Sequence, residues 1–283
     1  MSKVKDFIAE LEHLPAAPGV AQQVLALVND PKFSFSRLME VIRLDPGLTA
    51  NVLRICNSPY YGLRQKISSL QQALTYLGTN QVLDIVLSSE WVDLYRRSLN
   101  GYQMERGDLW RHSMATALLS QRMGEKLGFA EIHVLFTAAL LHDVGKLILS
   151  QYVQENFQQI DRLVASEGKS FVEAEEMVLG VDHAVMGSLA ARKWNFPDVI
   201  VRTIAFHHHA EKAASHRKIV CLVALANLIV VSMGLGGGVE GLAAPVAPGI
   251  LEEVGVKARE LPEFALDLKD IMDRADDLLS LAH

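Results

Sequence analysis

Phe136-Thr137-Ala138-Ala139-Leu140-Leu141-His142-Asp143-Val144-Gly145-Lys146-Leu147-Ile148-Leu149 is an apolar run with His142, Asp143 and Lys146 set inside it. A helix this apolar is buried, and a buried carboxylate without a partner is far more costly than a buried methylene. A bound metal is one way to hold a His and an Asp side by side in such a setting. The plainer alternative is an Asp that ion-pairs with Lys146 or caps a turn, beside a His satisfied in the core. His142 and Lys146 stand four residues apart, which on a continuous helix places them on one face.

The other histidines weigh against the plainer alternative. The chain has 10 histidines. His112 lies in Leu109-Trp110-Arg111-His112-Ser113, His183 in Val181-Asp182-His183-Ala184, and His207, His208 and His209 form a cluster at a helix end. Neutral imidazoles with a carboxylate are the donor set of Zn, Mn and Fe sites. A hydrolytic centre uses such a set to deprotonate a bound water near neutral pH. A lysine one turn after the His-Asp pair is placed to neutralise a phosphate oxygen. For His209 the reading is a solvated loop residue.

Around this stretch the chain reads as helical throughout. Ala, Leu and Val are abundant, and Ala and Leu have the best helix propensities. Helices are expected over 4–13, 19–29, 34–44, 48–55, 69–77 and 79–96, with Val20, Val24, Leu27 and Val28 inward on the second. Leu14-Pro15-Ala16-Ala17-Pro18, Asp30-Pro31 and Asp45-Pro46-Gly47 punctuate them. Asn57-Ser58-Pro59-Tyr60-Tyr61-Gly62 reads as a structural loop, because Asn-Ser-Pro is turn chemistry. Ser98-Leu99-Asn100-Gly101-Tyr102 is the best linker. Beyond it come helices over 108–127, 130–165 in two pieces, and one from Ser170, with Ser170 and Glu173 as a capping box. Further helices cover 183–193, 199–206, 216–233, 247–254 and 262–279. The expected fold is all-α and two-lobed, with lobes over 1–100 and 101–283.

Composition narrows the function. The net charge is −6, which argues against nucleic acid as the main partner. The 2 cysteines, Cys56 and Cys221, lie in apolar runs and read as reduced thiols of a cytoplasmic protein. The start of the chain reads as no signal peptide. The apolar run from Ile219 to Leu235 is broken by Asn227 and Ser232, so it reads as a buried helix and not a membrane span.

Leu141-His142-Asp143-Val144-Gly145-Lys146, preceded by Trp110-Arg111-His112-Ser113, resembles the HD superfamily of metal-dependent phosphohydrolases. Leu14-Pro15-Ala16-Ala17-Pro18, Ile42-Arg43-Leu44-Asp45-Pro46-Gly47-Leu48-Thr49-Ala50, Ile55-Cys56-Asn57-Ser58-Pro59-Tyr60-Tyr61-Gly62 and Ala73-Leu74-Thr75-Tyr76-Leu77-Gly78 resemble the motifs of the HDOD family. That family consists of all-helical bacterial signalling modules related to HD-GYP phosphodiesterases. The resemblance runs from about residue 6 to 235. It implies a regulatory role with a protein partner in a signalling pathway and a nucleotide-like small ligand. It also implies metal ligands at His112, His142, Asp143, His183, His207 and His208, with Asp143 and Lys146 as the catalytic pair of an active enzyme. A divalent Fe, Mn or Zn ion is the implied cofactor. Asp108, one turn before His112, matches an acid carried by some trinuclear sites of that group.

The sequence departs from the phosphodiesterase pattern in two places. No Gly-Tyr-Pro follows the histidines. Where HD enzymes place a final Asp, the chain reads Leu225-Ala226-Asn227-Leu228. An amide oxygen is a neutral ligand, so metal binding and water activation are both expected to weaken. The resemblance therefore implies a degenerate HD site with little or no catalysis, as against a phosphohydrolase acting on a nucleotide or cyclic dinucleotide.

Overall fold

The computed structural model describes residues 23–24, 27, 34–43, 46–58, 61–63, 67–235, 249–269 and 272. The expected helix over 4–13, the Leu14–Pro18 stretch, Val20, Val28, Pro59 and Tyr60 lie outside these residues. Val24 and Leu27, expected inward, are buried.

Among the described residues the structure is helical, and the β-type pairing present is an isolated bridge between Leu99 and Met104. Helix α1 (Phe35–Arg43) buries Leu38, Met39 and Ile42, three positions on one helical face. Helix α2 (Pro46–Cys56) packs on it, and the Thr49 hydroxyl donates to the Ile42 carbonyl at 2.9 Å. The loop after α2 is held by Asn57, whose Nδ2 donates to the carbonyls of Leu53 (2.8 Å) and Ile67 (2.7 Å) while its Oδ1 accepts from the Ile67 N–H at 2.7 Å. That bonding gives the loop the structural character its turn chemistry implies.

Ser69 then starts α3 (Leu70–Tyr95), its hydroxyl accepting from the Gln72 N–H at 3.2 Å. The two expected helices either side of Gly78 are one element with a kink there. Gly78 sits at φ 78°, ψ 169°, a conformation a side chain would strain. The later turns of α3 carry the unbroken buried run Val82–Ser88 and pack against the C-terminal helices.

Those helices are α4 (Asp108–Lys126), α5 (Ile132–Leu141), α6 (Val144–Glu155), α7 (Phe157–Glu167), α8 (Phe171–Leu179), α9 (His183–Lys193), α10 (Asp198–Phe206), α11 (Arg217–Ser232) and α12 (Ile250–Val254), followed by a helix over 261–269. α4 packs on α5 and α11, and α9 packs on α6 and α10. The Ser170–Glu173 capping box is present at the start of α8.

Two expectations change. The 130–165 helix is in three pieces, and one break falls at His142 and Asp143, so the pair occupies a corner between α5 and α6. His142 and Lys146 therefore do not share the face of a continuous helix. Residues 98–102, read as a linker, are a buried element. Asn100–Tyr102 is a 3₁₀ turn against α6, Tyr102 is buried, and a Cβ on Gly101 would lie 2.2 Å from the Ser150 carbonyl oxygen. Gly and Asn marked the turn correctly, but an absent side chain also permits close packing, and sequence does not distinguish the two.

The core is continuous from Val24 to Met272. One described stretch, Val134–Glu155, has the length and apolarity to cross a membrane, and 72% of its apolar window is buried within the protein.

A candidate metal centre at the α5–α6 corner

The break between α5 and α6 sets Asp143 at the position just before α6, but its carboxylate makes no capping bond to that helix. The carboxylate instead points into a group of imidazoles. Asp143 Oδ2 lies 3.3 Å from His112 Nε2 and 3.4 Å from His142 Nε2, and those two nitrogens are 3.3 Å apart. Asp143 Oδ1 lies 3.4 Å from both His183 Nε2 and His207 Nε2, and His183 Nε2 lies 3.0 Å from His208 Nε2. All six residues that the sequence singled out thus meet around one carboxylate, in two overlapping groups. Five helices deliver them: α4 brings His112, the α5–α6 corner His142 and Asp143, α9 His183, and the end of α10 His207 and His208.

The approach of α9 depends on two glycines. A Cβ on Gly145 would lie 1.8 Å from the His183 carbonyl oxygen, and one on Gly187 would lie 2.9 Å from the Gly145 nitrogen. The helices touch backbone to backbone, which brings His183 within reach of Asp143.

The outward nitrogens of four rings are already committed. His112 Nδ1 donates to the Leu235 carbonyl at 3.0 Å, His142 Nδ1 to Ala139 at 2.6 Å, and His207 Nδ1 to Ile204 at 2.8 Å. His183 Nδ1 donates to the Glu175 carboxylate at 2.7 Å. A carbonyl or carboxylate can only accept, so the proton of each neutral ring sits on Nδ1 and a bare Nε2 faces inward. This is the arrangement by which outer groups fix metal-binding imidazoles.

Burial favours the neutral rings. It pushes the His142 imidazole well below its ordinary value, against the charge of Asp143, with His207 and His112 adding to the fall. Burial does the same to His208, helped by His207 and His183. For Asp143 burial opposes ionisation, yet the carboxyl is held well below the usual range; with His142 neutral and the inward Nε2 atoms bare, the cause that stands is the charge of Lys146. With His142 neutral, the persistent cation is Lys146, whose ammonium donates to Asp143 Oδ2 at 2.6 Å. The plainer alternative is thus partly present, as an Asp–Lys ion pair, inside the cluster.

The donor set fits a divalent ion. Metal bonds of about 2.0–2.1 Å imply ligand-to-ligand edges of roughly 3.0–3.4 Å in octahedral or tetrahedral geometry, and the observed spacings run from 3.0 to 3.4 Å. Asp143 Oδ1 and His207 Nε2 are also buried with no hydrogen-bond partner, a state that is costly unless something else satisfies them.

Two of the other residues, Asp108 and His209, fall outside the cluster. Asp108 Oδ2 accepts from the Glu105 N–H at 2.7 Å, in the turn before α4. His209 is partly exposed beside Glu211, as a solvated residue should be. Asn227 is buried on α11, with its Oδ1 lacking a partner.

Sequence reasoning missed Glu175, Tyr102 and Tyr95. Glu175 is fully buried, accepts from both the ring and the backbone N–H of His183, and receives a hydrogen bond from the Tyr102 hydroxyl. Its signal was an acid in the i+4 slot of the buried stripe Phe171–Glu175–Leu179. Burial, then the charge of Asp143, hold the Tyr95 hydroxyl well above its ordinary value, so the last turn of α3 lies in the field of the cluster.

Comparison with known proteins identifies the family and the fold. The model of the HDOD domain matches residues 14–210. A crystal structure of an HDOD domain protein of unknown function from Geobacter sulfurreducens superposes with a TM-score of 0.79, at 26% identity, over 98% of this chain and 97% of that one. A candidate phosphohydrolase from Shewanella amazonensis gives a TM-score of 0.74 at 24% identity over 98% of both chains. A candidate signal transduction protein from Marinobacter aquaeolei gives 0.74 at 21% identity, over 96% of this chain and 59% of that one. A curated but uncharacterized protein of Treponema pallidum is 22% identical over 225 residues, and the match covers 78% of this chain but only 42% of that protein's length.

Proposed function

The chain belongs to the HDOD family, and from that premise we propose that it is a bacterial signalling module whose C-terminal lobe binds a divalent metal. The lobes are placed at 1–100 and 101–283, and the ion is Fe, Mn or Zn. His112, His142, Asp143, His183, His207 and His208 make up the metal site. The observation that carries this reading is the pair of buried, unpartnered atoms Asp143 Oδ1 and His207 Nε2, which face each other at 3.4 Å among imidazoles whose other nitrogens are already committed. The signalling role is supported by the family and by the structural likeness to a candidate signal transduction protein. The protein partner docks in the cytoplasm and reads a conformational state, with a nucleotide-like molecule as the small ligand.

We assign the site little or no turnover. Bound there, a divalent ion would acidify a coordinated water. The residues around it are poorly set for a phosphate. Lys146, the group best suited to neutralise a phosphate oxygen, is buried and bonded to Asp143. A single carboxylate stands in the cluster, and Asn227 adds no charge.

The competing reading, a phosphohydrolase with Asp143 and Lys146 as its catalytic pair, is favoured by the completeness of the imidazole set. Anaerobically metal-loaded wild type, Asp143→Ala and Asn227→Asp are compared on a generic phosphodiester and on cyclic dinucleotides. The expected result is metal bound to wild type, loss of metal in Asp143→Ala, and background turnover in both. Robust wild-type turnover that Asp143→Ala abolishes would make the protein an enzyme.

A further inference from the structure

The two halves of the cluster are not equivalent. On the Oδ1 side of Asp143 stand His183, His207 and His208, and both Oδ1 and His207 Nε2 lack a hydrogen-bond partner. Behind His183 stands the carboxylate of Glu175, fixed in turn by the Tyr102 hydroxyl. On the Oδ2 side, among the described residues, stand His112 and His142, backed by neutral carbonyls of Leu235 and Ala139. Oδ2 already accepts from the Lys146 ammonium at 2.6 Å.

We propose that the centre holds one divalent ion, on the Oδ1 side, and that the Lys146 ammonium serves as the resident second cation on the Oδ2 side, with Glu175 as the positioning residue of the occupied half. This rests on the metal-binding reading above and adds the number and place of the ion.

Charge argues for it. Asp143 is the one carboxylate among the cluster's inward-facing donors, and Lys146 already balances it. Glu175 then offsets part of the charge of one dication from behind a neutral ring. A second dication would put two ions and an ammonium around a single buried carboxylate, where the low dielectric makes like charges repel strongly. An anionic group behind an imidazole raises its basicity as a ligand, and a neutral carbonyl does so less.

The test is metal counting on the full chain, using Mn²⁺ and Fe²⁺ loaded without oxygen. The wild type should bind one equivalent, with an uncoupled Mn²⁺ resonance signal. Lys146→Met frees Oδ2 and should admit a second equivalent, giving the coupled signal of a paired site. Glu175→Gln should weaken the single ion by about 10–100-fold, the usual effect of losing an outer partner, without changing the count. Two equivalents in wild type, or a coupled signal there, would overturn the one-ion assignment and leave metal binding intact. Lys146→Met remaining at one equivalent while folded would remove the lysine from its role. If that variant does not fold, the wild-type count and the Glu175→Gln affinity still decide. A wild type that takes up neither ion would overturn the metal-binding reading itself, and this proposal with it.

Discussion

Asp84 shows how one side chain can work against the core that holds it. It sits within the buried run of α3, 6% exposed, and the one hydrogen bond to its carboxylate comes from Gln121 Nε2 at 3.3 Å. Its other oxygen has no partner. Burial pushes its pKa well above the ordinary 3.8; the Gln121 hydrogen bond opposes the rise and the nearby charge of Glu125 adds to it. The linkage sign follows. Above the ordinary value the unfolded chain has released this proton while the folded chain keeps it. Stability therefore falls as pH rises through that window, until Asp84 ionises in the folded state too. Asp84→Asn is neutral at every pH and should stabilise the protein at pH 7 by about 1–3 kcal/mol, the scale of an unsatisfied buried polar group. The gain should shrink towards zero as pH drops below 4 in urea unfolding curves. An unchanged or reduced midpoint at pH 7 would mean that Asp84 is satisfied in a way its contacts do not convey. Asp143 is the opposite case at the same scale: fully buried, it is held ionised by the Lys146 ammonium.

At the scale of elements, the site depends on where helices break and where they touch. The break between α5 and α6 turns the His-Asp pair from two neighbours on a helix into two donors at a corner. Apolar periodicity does not reveal it, because both flanking segments are apolar, no proline separates them, and Asp143 stands at the N-cap position without making a capping bond. The helix start at Ser170 was legible from its capping box, and the imidazoles from their pattern along the chain. Glu175 and Tyr102 were not, because an acid on a helix reads as surface and a tyrosine beside Asn-Gly reads as loop until packing places both against His183. Gly145 is the element-scale equivalent: any residue fits α6 until α9 is laid across it. Gly145→Ala puts a methyl where the His183 carbonyl lies, 1.8 Å from the built Cβ, and its neighbours there are backbone atoms that cannot rotate away. The variant should lose about 1–3 kcal/mol, as overpacked cores do. It should also lose metal binding, since His183 is pushed from Asp143. Gly128→Ala, where a Cβ meets nothing within 4 Å but φ is +65°, is the comparison. It should cost only the backbone strain of a left-handed position, about 1–2 kcal/mol, and leave metal affinity unchanged. Equal metal binding in the two variants would show that the α6–α9 contact does not set the position of His183.

For the molecule as a whole, the proposed centre would act as a cross-link once metal is bound. Its donors span residues 112 to 208 and come from helices that otherwise meet through apolar packing. The unfolded chain does not preform such a site, so metal binding energy becomes folding energy. The reach extends to the N-terminal helices, because α3 packs on α4 and α5 and its last turn carries Tyr95 in the field of Asp143. The core runs without a gap from Val24 to Met272, the continuity that the proposed signalling role needs. The expected outcome is that chelation lowers stability of the entire chain in one transition, not of the C-terminal lobe alone. At a free Mn²⁺ concentration one hundred times Kd, the ion should add about 2.7 kcal/mol. For a chain of this size that is a rise of roughly 4–5 °C in Tm. Asp143→Asn keeps the shape of the side chain and removes its charge, so it should abolish the metal-dependent rise. Its own metal-free stability should fall as well, because the buried Lys146 ammonium then lacks its counter-ion. Calorimetry with and without Mn²⁺ on both proteins measures each effect. A metal-dependent rise confined to one of two separate transitions would mean that the lobes fold independently. A rise that survives in Asp143→Asn would place the ion elsewhere than between the carboxylate and its imidazoles.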